Sequence, residues 1–195
     1  MQGAIEAFVQ YLNRERSLSE NTIRAYVGDL QSLSNHLAAL KIEEVSQLNI
    51  SHLRSWLANQ QTKGASRTTL SRRATSIKLF TKWAFKEGLL PNDVGANLAT
   101  PKAHRILPEI LDVKSADLAM KSLETVAGET GELTAIRNLA MVELLYATGA
   151  RVSELCGLDL KDVDYERQTI RVIGKGNKER VIPVGRPAIA ALEKW

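Results

Sequence analysis

Tyr146-Ala-Thr-Gly-Ala-Arg-Val-Ser-Glu-Leu-Cys-Gly-Leu158 sets an arginine directly after a helix stop. Before it, Leu133 to Ala147 carries Ile136, Leu139, Ala140, Val142, Leu144 and Leu145, which predicts a largely buried helix. Gly149 ends that helix, and Arg151 opens a short one that follows. A guanidinium in that place can make a two-pronged contact to a phosphate, helped by nearby free backbone N–H groups. Glu154, one turn on, is placed to hold it. The same residues also fit a plain helix–turn–helix corner with an Arg–Glu pair at i, i+3, and physics alone favours that plainer reading.

A second pattern lies 24 residues beyond Arg151, with Lys175 in Val172-Ile-Gly-Lys-Gly-Asn-Lys-Glu-Arg180. Thr169–Ile173 and Arg180–Val184 alternate like strands, and Gly174-Lys-Gly-Asn177 joins them as a hairpin turn. A lysine on a hairpin tip can reach into a groove and give a proton to a leaving oxygen. A solvated turn lysine is the commoner case. The segment lacks the gap and the Lys-Ser/Thr ending of a phosphate-binding P-loop. A last helix begins near Pro187, and another is expected from Ser115 to Val126.

The first hundred residues read as helices. Ile5, Phe8, Val9 and Leu12 share one face. Ser17 and Glu20 fit a capping box ahead of a long amphipathic helix through Ile23, Tyr26, Val27, Leu30, Leu33, Leu37 and Leu40. Asn49 to Ser51 starts a third helix, broken at Lys63-Gly64. A fourth runs from about Ser66 to Glu87, with Gly88 as its stop. Leu70, Ala74, Ile77, Phe80 and Ala84 form its apolar side. Thr68, Ser71, Thr75, Lys78, Lys82 and Lys86 lie near the opposite side. Lysines at i, i+4 and i+8 make a ridge of charge, and small hydroxyl residues beside it let a phosphate backbone come close. Pro101 and Pro108 bracket an expected linker.

Charge supports that face. Residues 1–105 hold 14 Lys/Arg and 8 Asp/Glu, whereas residues 106–195 hold 12 and 14. From Val45 to Lys86 there is no acid, while Arg54, Lys63, Arg67, Arg72, Arg73, Lys78, Lys82 and Lys86 supply base. Exposed helices ordinarily mix both signs, so this stretch suggests a polyanion partner. Trp56 and Trp83 are expected in the core, the tyrosines in core or strand-edge places, and the lone Cys156 as buried filler. A single cysteine, no apolar run of membrane length and no secretory leader point to a reducing cytoplasm and no membrane association.

Four stretches in order resemble the tyrosine recombinases, most nearly their Xer branch: Leu18–Leu30, Leu70–Phe80 with the Leu98–Lys102 exit, Tyr146–Leu158 and Val172–Arg180. The resemblance implies a mainly α protein. Residues 1–100 would form a helical, SAM-like core-binding bundle that binds DNA, and 101–110 a linker. Residues 111–195 would be the first part of a mixed α/β catalytic domain. It implies that Arg151 binds the scissile phosphate, that Glu154 supports it, and that Lys175 is the general acid. Thr68, Ser71, Arg72, Arg73, Thr75, Lys78, Lys82 and Lys86 would face double-stranded DNA. It also implies a tyrosine nucleophile without cofactor or metal, a XerD-like partner recombinase in a tetramer, and the FtsK translocase, in the setting of chromosome partition and cell division.

The family pattern continues to a His-x-x-Arg motif and a late tyrosine. His36, His52 and His104 are not followed by arginine three residues on. Tyr11, Tyr26, Tyr146 and Tyr165 all precede the place for that motif. These 195 residues alone are therefore expected to be monomeric and to hold DNA without cutting it. The alternative is a non-catalytic, helix–turn–helix-like DNA-binding regulator.

Overall fold

The computed structural model describes residues 1–15, 18–101, 110–174 and 176–195. The chain divides into two compact units, Met1–Leu107 and Pro108–Trp195.

Among the described residues, the first unit packs four α-helices: α1 (Gln2–Glu15), α2 (Glu20–Ala39), α3 (Ile50–Thr62) and α4 (Arg67–Lys86). α2 packs against each of the other three. Ile5, Phe8 and Leu12 of α1 meet Leu30, Leu33 and Leu37 of α2, Leu53 and Trp56 of α3, and Ile77 and Phe80 of α4. Each such side chain contributes about 1.5–3 kcal/mol by leaving water. Phe8 stands edge-on to Phe80 with centroids 5.4 Å apart. Trp56 and Trp83 are buried, as expected.

Two boundaries differ from the sequence reading. The cap of α2 is Ser19, which accepts from the Thr22 N–H at 3.3 Å. Glu20 is then the first helical residue, too early to close a box, and Ser17 lies outside the described residues. α2 ends at Ala39, so Leu40 caps the helix and is largely exposed rather than part of its apolar stripe. Asn49 and Ser66 cap α3 and α4, and Gly64 and Gly88 take the positive φ that follows each. Most of the expected linker lies outside the described residues.

The second unit holds α5 (Val113–Thr130), α6 (Leu133–Thr148), α7 (Val152–Cys156), a three-stranded antiparallel sheet and α8 (Arg186–Lys194). The strands β1 (Val163–Asp164), β2 (Thr169–Gly174) and β3 (Lys178–Pro183) lie in the order β1-β2-β3. Ile170 and Val172 of β2 join Leu139, Ala140 and Leu144 of α6 and Ala188, Ile189 and Leu192 of α8 in one core. α5 begins earlier than expected because Asp112 caps it, accepting from the Ser115 N–H at 2.8 Å. β3 begins two residues earlier than expected, because the register pairs Gly174 with Lys178.

Three burial expectations fail here. α6 buries only one face, with Leu133 74% and Tyr146 62% exposed, so Tyr146 is not a core residue. Cys156 is exposed. α7 is a single short turn, and Glu154 and Leu155 are the residues it buries. Among the described residues, no helix is long and apolar enough to cross a membrane.

Candidate phosphate site and nucleic-acid interface

The corner between α6 and α7 is built by its backbone. Gly149 takes φ 59°, and its N–H closes α6 on the Leu145 carbonyl at 2.9 Å. This left-handed conformation is the one glycine enters without a Cβ penalty. Thr148 Oγ1 donates to the Leu144 carbonyl and accepts from the Ala150 N–H, which fixes the turn. Arg151 then stands at the N-cap of α7. Its own N–H donates to Glu154 Oε2 at 2.8 Å, so that donor is already used. Its Nη1 donates to Glu154 Oε1 at 2.9 Å.

The Arg151 side chain is 65% exposed while the Glu154 side chain is 1% exposed. The carboxylate is held inside, and the guanidinium stands at the surface with donors to spare. The Arg151 N–H, followed by the guanidiniums of Arg151 and Arg180, holds the Glu154 carboxyl below the usual carboxylate range despite its burial.

The sequence reading missed Arg180. It lies on β3 opposite Val172, and its Nη2 donates to Glu154 Oε2 at 2.8 Å. Gly174, at the end of β2, leaves the space this cluster occupies. A Cβ there would stand 3.0 Å from Glu154 Oε1 and 3.7 Å from Arg151 Nη1. Lys175 follows Gly174 in the chain but lies outside the described residues. The signal that could have found Arg180 is the hairpin register, which sequence periodicity does not supply.

On α4, Thr68, Thr75, Lys82 and Lys86 are exposed, and Ser71 and Lys78 are half-buried. Thr75 Oγ1 donates to the Ser71 carbonyl at 2.9 Å, so its hydrogen is turned onto its own helix. Arg72 and Arg73 are placed differently from the other six. Arg72 Nη1 donates to Asp29 Oδ2 and to the Ala25 carbonyl. Arg73 Nη1 donates to Gln60 Oε1 at 2.6 Å, its Nε stands 3.5 Å from Asp29 Oδ1, and its guanidinium lies 5.9 Å from the Trp56 ring centroid. Asp29 is buried and also accepts from Ser76 Oγ. The pair thus ties α4 to α2 and α3.

Two family models match the chain. Residues 5–88 match the phage integrase N-terminal SAM-like domain, and residues 110–195 match the phage integrase family itself. This chain belongs to the tyrosine recombinases of the phage integrase family. Over all 195 residues it is 48% identical to the tyrosine recombinase XerC of Mycobacterium tuberculosis (strain ATCC 25177 / H37Ra) and spans 65% of that protein's length. Its fold is that of other tyrosine recombinases. It matches a crystal structure of a lambda integrase (75–356) dimer bound to a COC′ core site with TM-score 0.72 and 18% identity, over 100% of this chain and 68% of the other. It also matches the XerH site-specific recombinase bound to its palindromic difH substrate, with TM-score 0.68 and 20% identity, over 89% of this chain and 51% of the other.

Proposed function

We propose that the chain is part of a XerC-type tyrosine recombinase, an enzyme that cuts and rejoins DNA strands, and that its Arg151 corner binds the scissile phosphate. The observation that carries this reading is an exposed guanidinium pinned by a buried carboxylate, in a chain 48% identical to XerC. An anion above the corner meets the unused donors of Arg151, and charge growing on the phosphorus oxygens is stabilised by donors already in place. Lys175, as general acid, gives its proton to the departing 5′ oxygen. A tyrosine attacks the phosphorus and keeps the bond energy as a 3′-phosphotyrosyl link for religation. The six outward residues of α4 track the duplex backbone, chiefly by charge.

On the same reading the whole protein works with a XerD-like recombinase in a tetramer and with the FtsK translocase, resolving chromosome dimers in the cytoplasm before cell division. The 195 residues alone, which hold no His-x-x-Arg, bind DNA without cutting it.

The test is duplex binding across a salt series, with a suicide substrate in parallel. The expected result is binding at low salt, a log–log salt slope of several units, and no covalent adduct. Absence of duplex binding at low salt overturns the reading. A 3′-phosphotyrosyl adduct overturns the claim that this stretch cannot cut.

A further inference from the structure

Glu154 accepts three N–H donors: the Arg151 N–H, Arg151 Nη1 and Arg180 Nη2. One carboxylate therefore serves two guanidiniums, one from the α6–α7 corner and one from the β2–β3 hairpin. Its side chain is 1% exposed, whereas those of Arg151 and Arg180 are 65% and 47% exposed. This is not a surface ion pair, which salt and side-chain entropy reduce to almost nothing. A desolvated carboxylate must be fully partnered, and removing one partner leaves it under-satisfied. Gly174 completes the fit, because any side chain there crowds Glu154 Oε1.

We infer that Arg180 is a positioning residue: through Glu154 it orients the Arg151 guanidinium toward the phosphate and registers the β2–β3 hairpin against that corner. The inference rests on the phosphate-binding role proposed for Arg151. With Arg180 in place, Glu154 Oε2 is held from the hairpin side, so Oε1 keeps one position beneath Arg151 Nη1. Without it, the carboxylate rotates within its site and Arg151 loses its fixed rotamer. The hairpin then loses its tie to α7.

The test uses the whole 195-residue chain with the single variants R151A, R180Q and R180K, and duplex DNA as probe. Two readouts are taken: affinity across a salt series, and NMR of the Arg151 side-chain N–H groups and the Glu154 carboxyl. R151A is expected to weaken binding and flatten the salt slope by about one. R180Q is expected to weaken binding about tenfold, the scale of one lost charged hydrogen bond. It is also expected to move the Glu154 titration up toward the ordinary carboxylate range and to release restricted rotation of the Arg151 guanidinium. R180K keeps the charge but not the fork, so it guards against a folding defect and is expected to fall between wild type and R180Q. If R151A binds like wild type, the phosphate-binding reading fails. If R151A weakens binding while R180Q and R180K leave both the affinity and the Arg151 signals unchanged, the positioning role alone is overturned.

Discussion

Arg72 on α4 pairs with Asp29 on α2, 43 residues earlier in the chain, and Asp29 is 2% exposed. The carboxylate also holds Ser76 and stands near Arg73, whose side chain is only 19% exposed. Removing the acid leaves the largely buried Arg73 and the partly exposed Arg72 without their counter-charge. Asp29→Ala is expected to destabilise the first unit by about 2–3 kcal/mol, below the scale of breaking a fully buried pair because Arg72 can reach water. Urea unfolding measures it, and an unchanged midpoint would show that the network adds nothing.

Lys78, Lys82 and Lys86 rise from α4 at one-turn spacing, Lys82 and Lys86 exposed and Lys78 half-buried. Replacing all three with alanine is expected to weaken binding to every duplex sequence alike and to reduce the magnitude of the salt slope by about two to three. Anisotropy at several salt concentrations reads both. An unchanged slope would remove this face from the interface.

Two glycines are expected to respond to alanine with opposite signs. Gly128 lies in α5 with nothing near its missing Cβ. Gly128→Ala should stabilise by about 0.5–1 kcal/mol, by helix propensity and a less free unfolded chain. Gly174→Ala should gain nothing from strand preference, because its Cβ meets Glu154 Oε1 at 3.0 Å. It is expected to cost about 1 kcal/mol and to weaken duplex binding. Thermal unfolding of the two variants beside wild type decides it.

Acid should loosen the corner. Glu154 titrates below its ordinary range in the folded chain, first through the Arg151 N–H and then through the guanidiniums of Arg151 and Arg180. A carboxyl depressed by folding stabilises fully above its unfolded pKa and loses that contribution as pH falls through the folded value. Asp162 shifts in the same direction through Arg171, which donates to it from both Nε and Nη2. Wild type and Glu154→Gln should therefore differ most near neutrality, and the difference should begin to shrink only as pH falls below the ordinary carboxylate range of about 4. Asp162 is common to both, so the difference in unfolding midpoint isolates Glu154. A constant difference from pH 7 to 3 would contradict the assignment.

Much of this architecture was legible in local pattern. The glycine stop at Gly149, the arginine after it and the acid three residues on are neighbours on one turn, so spacing alone brings Arg151 and Glu154 together. The apolar stripes of α1 to α4 were visible for the same reason. What escaped depended on distant chain. Arg180 sits in Lys-Glu-Arg, a run that looks solvated until strand register turns one member inward. Arg72 and Arg73 look outward-facing in an acid-free stretch, yet the acid that claims them lies outside that stretch, on another helix. Cys156 was misplaced because α7 is too short to own a buried face beyond Glu154 and Leu155.

The Arg180–Glu154 bond also imposes an order of assembly. Glu154 leaves the ribosome 26 residues ahead of Arg180, roughly one to five seconds at ordinary rates of synthesis. In that interval the carboxylate has only Arg151 beside it, and β3, which will close over it, has not yet been made. The helical bundle, whose core runs from Ile5 to Leu98 and includes the Phe8–Phe80 ring contact, has all its residues made well before then. The nascent protein therefore completes the residues of its helical bundle before it can close the Arg151–Glu154–Arg180 corner.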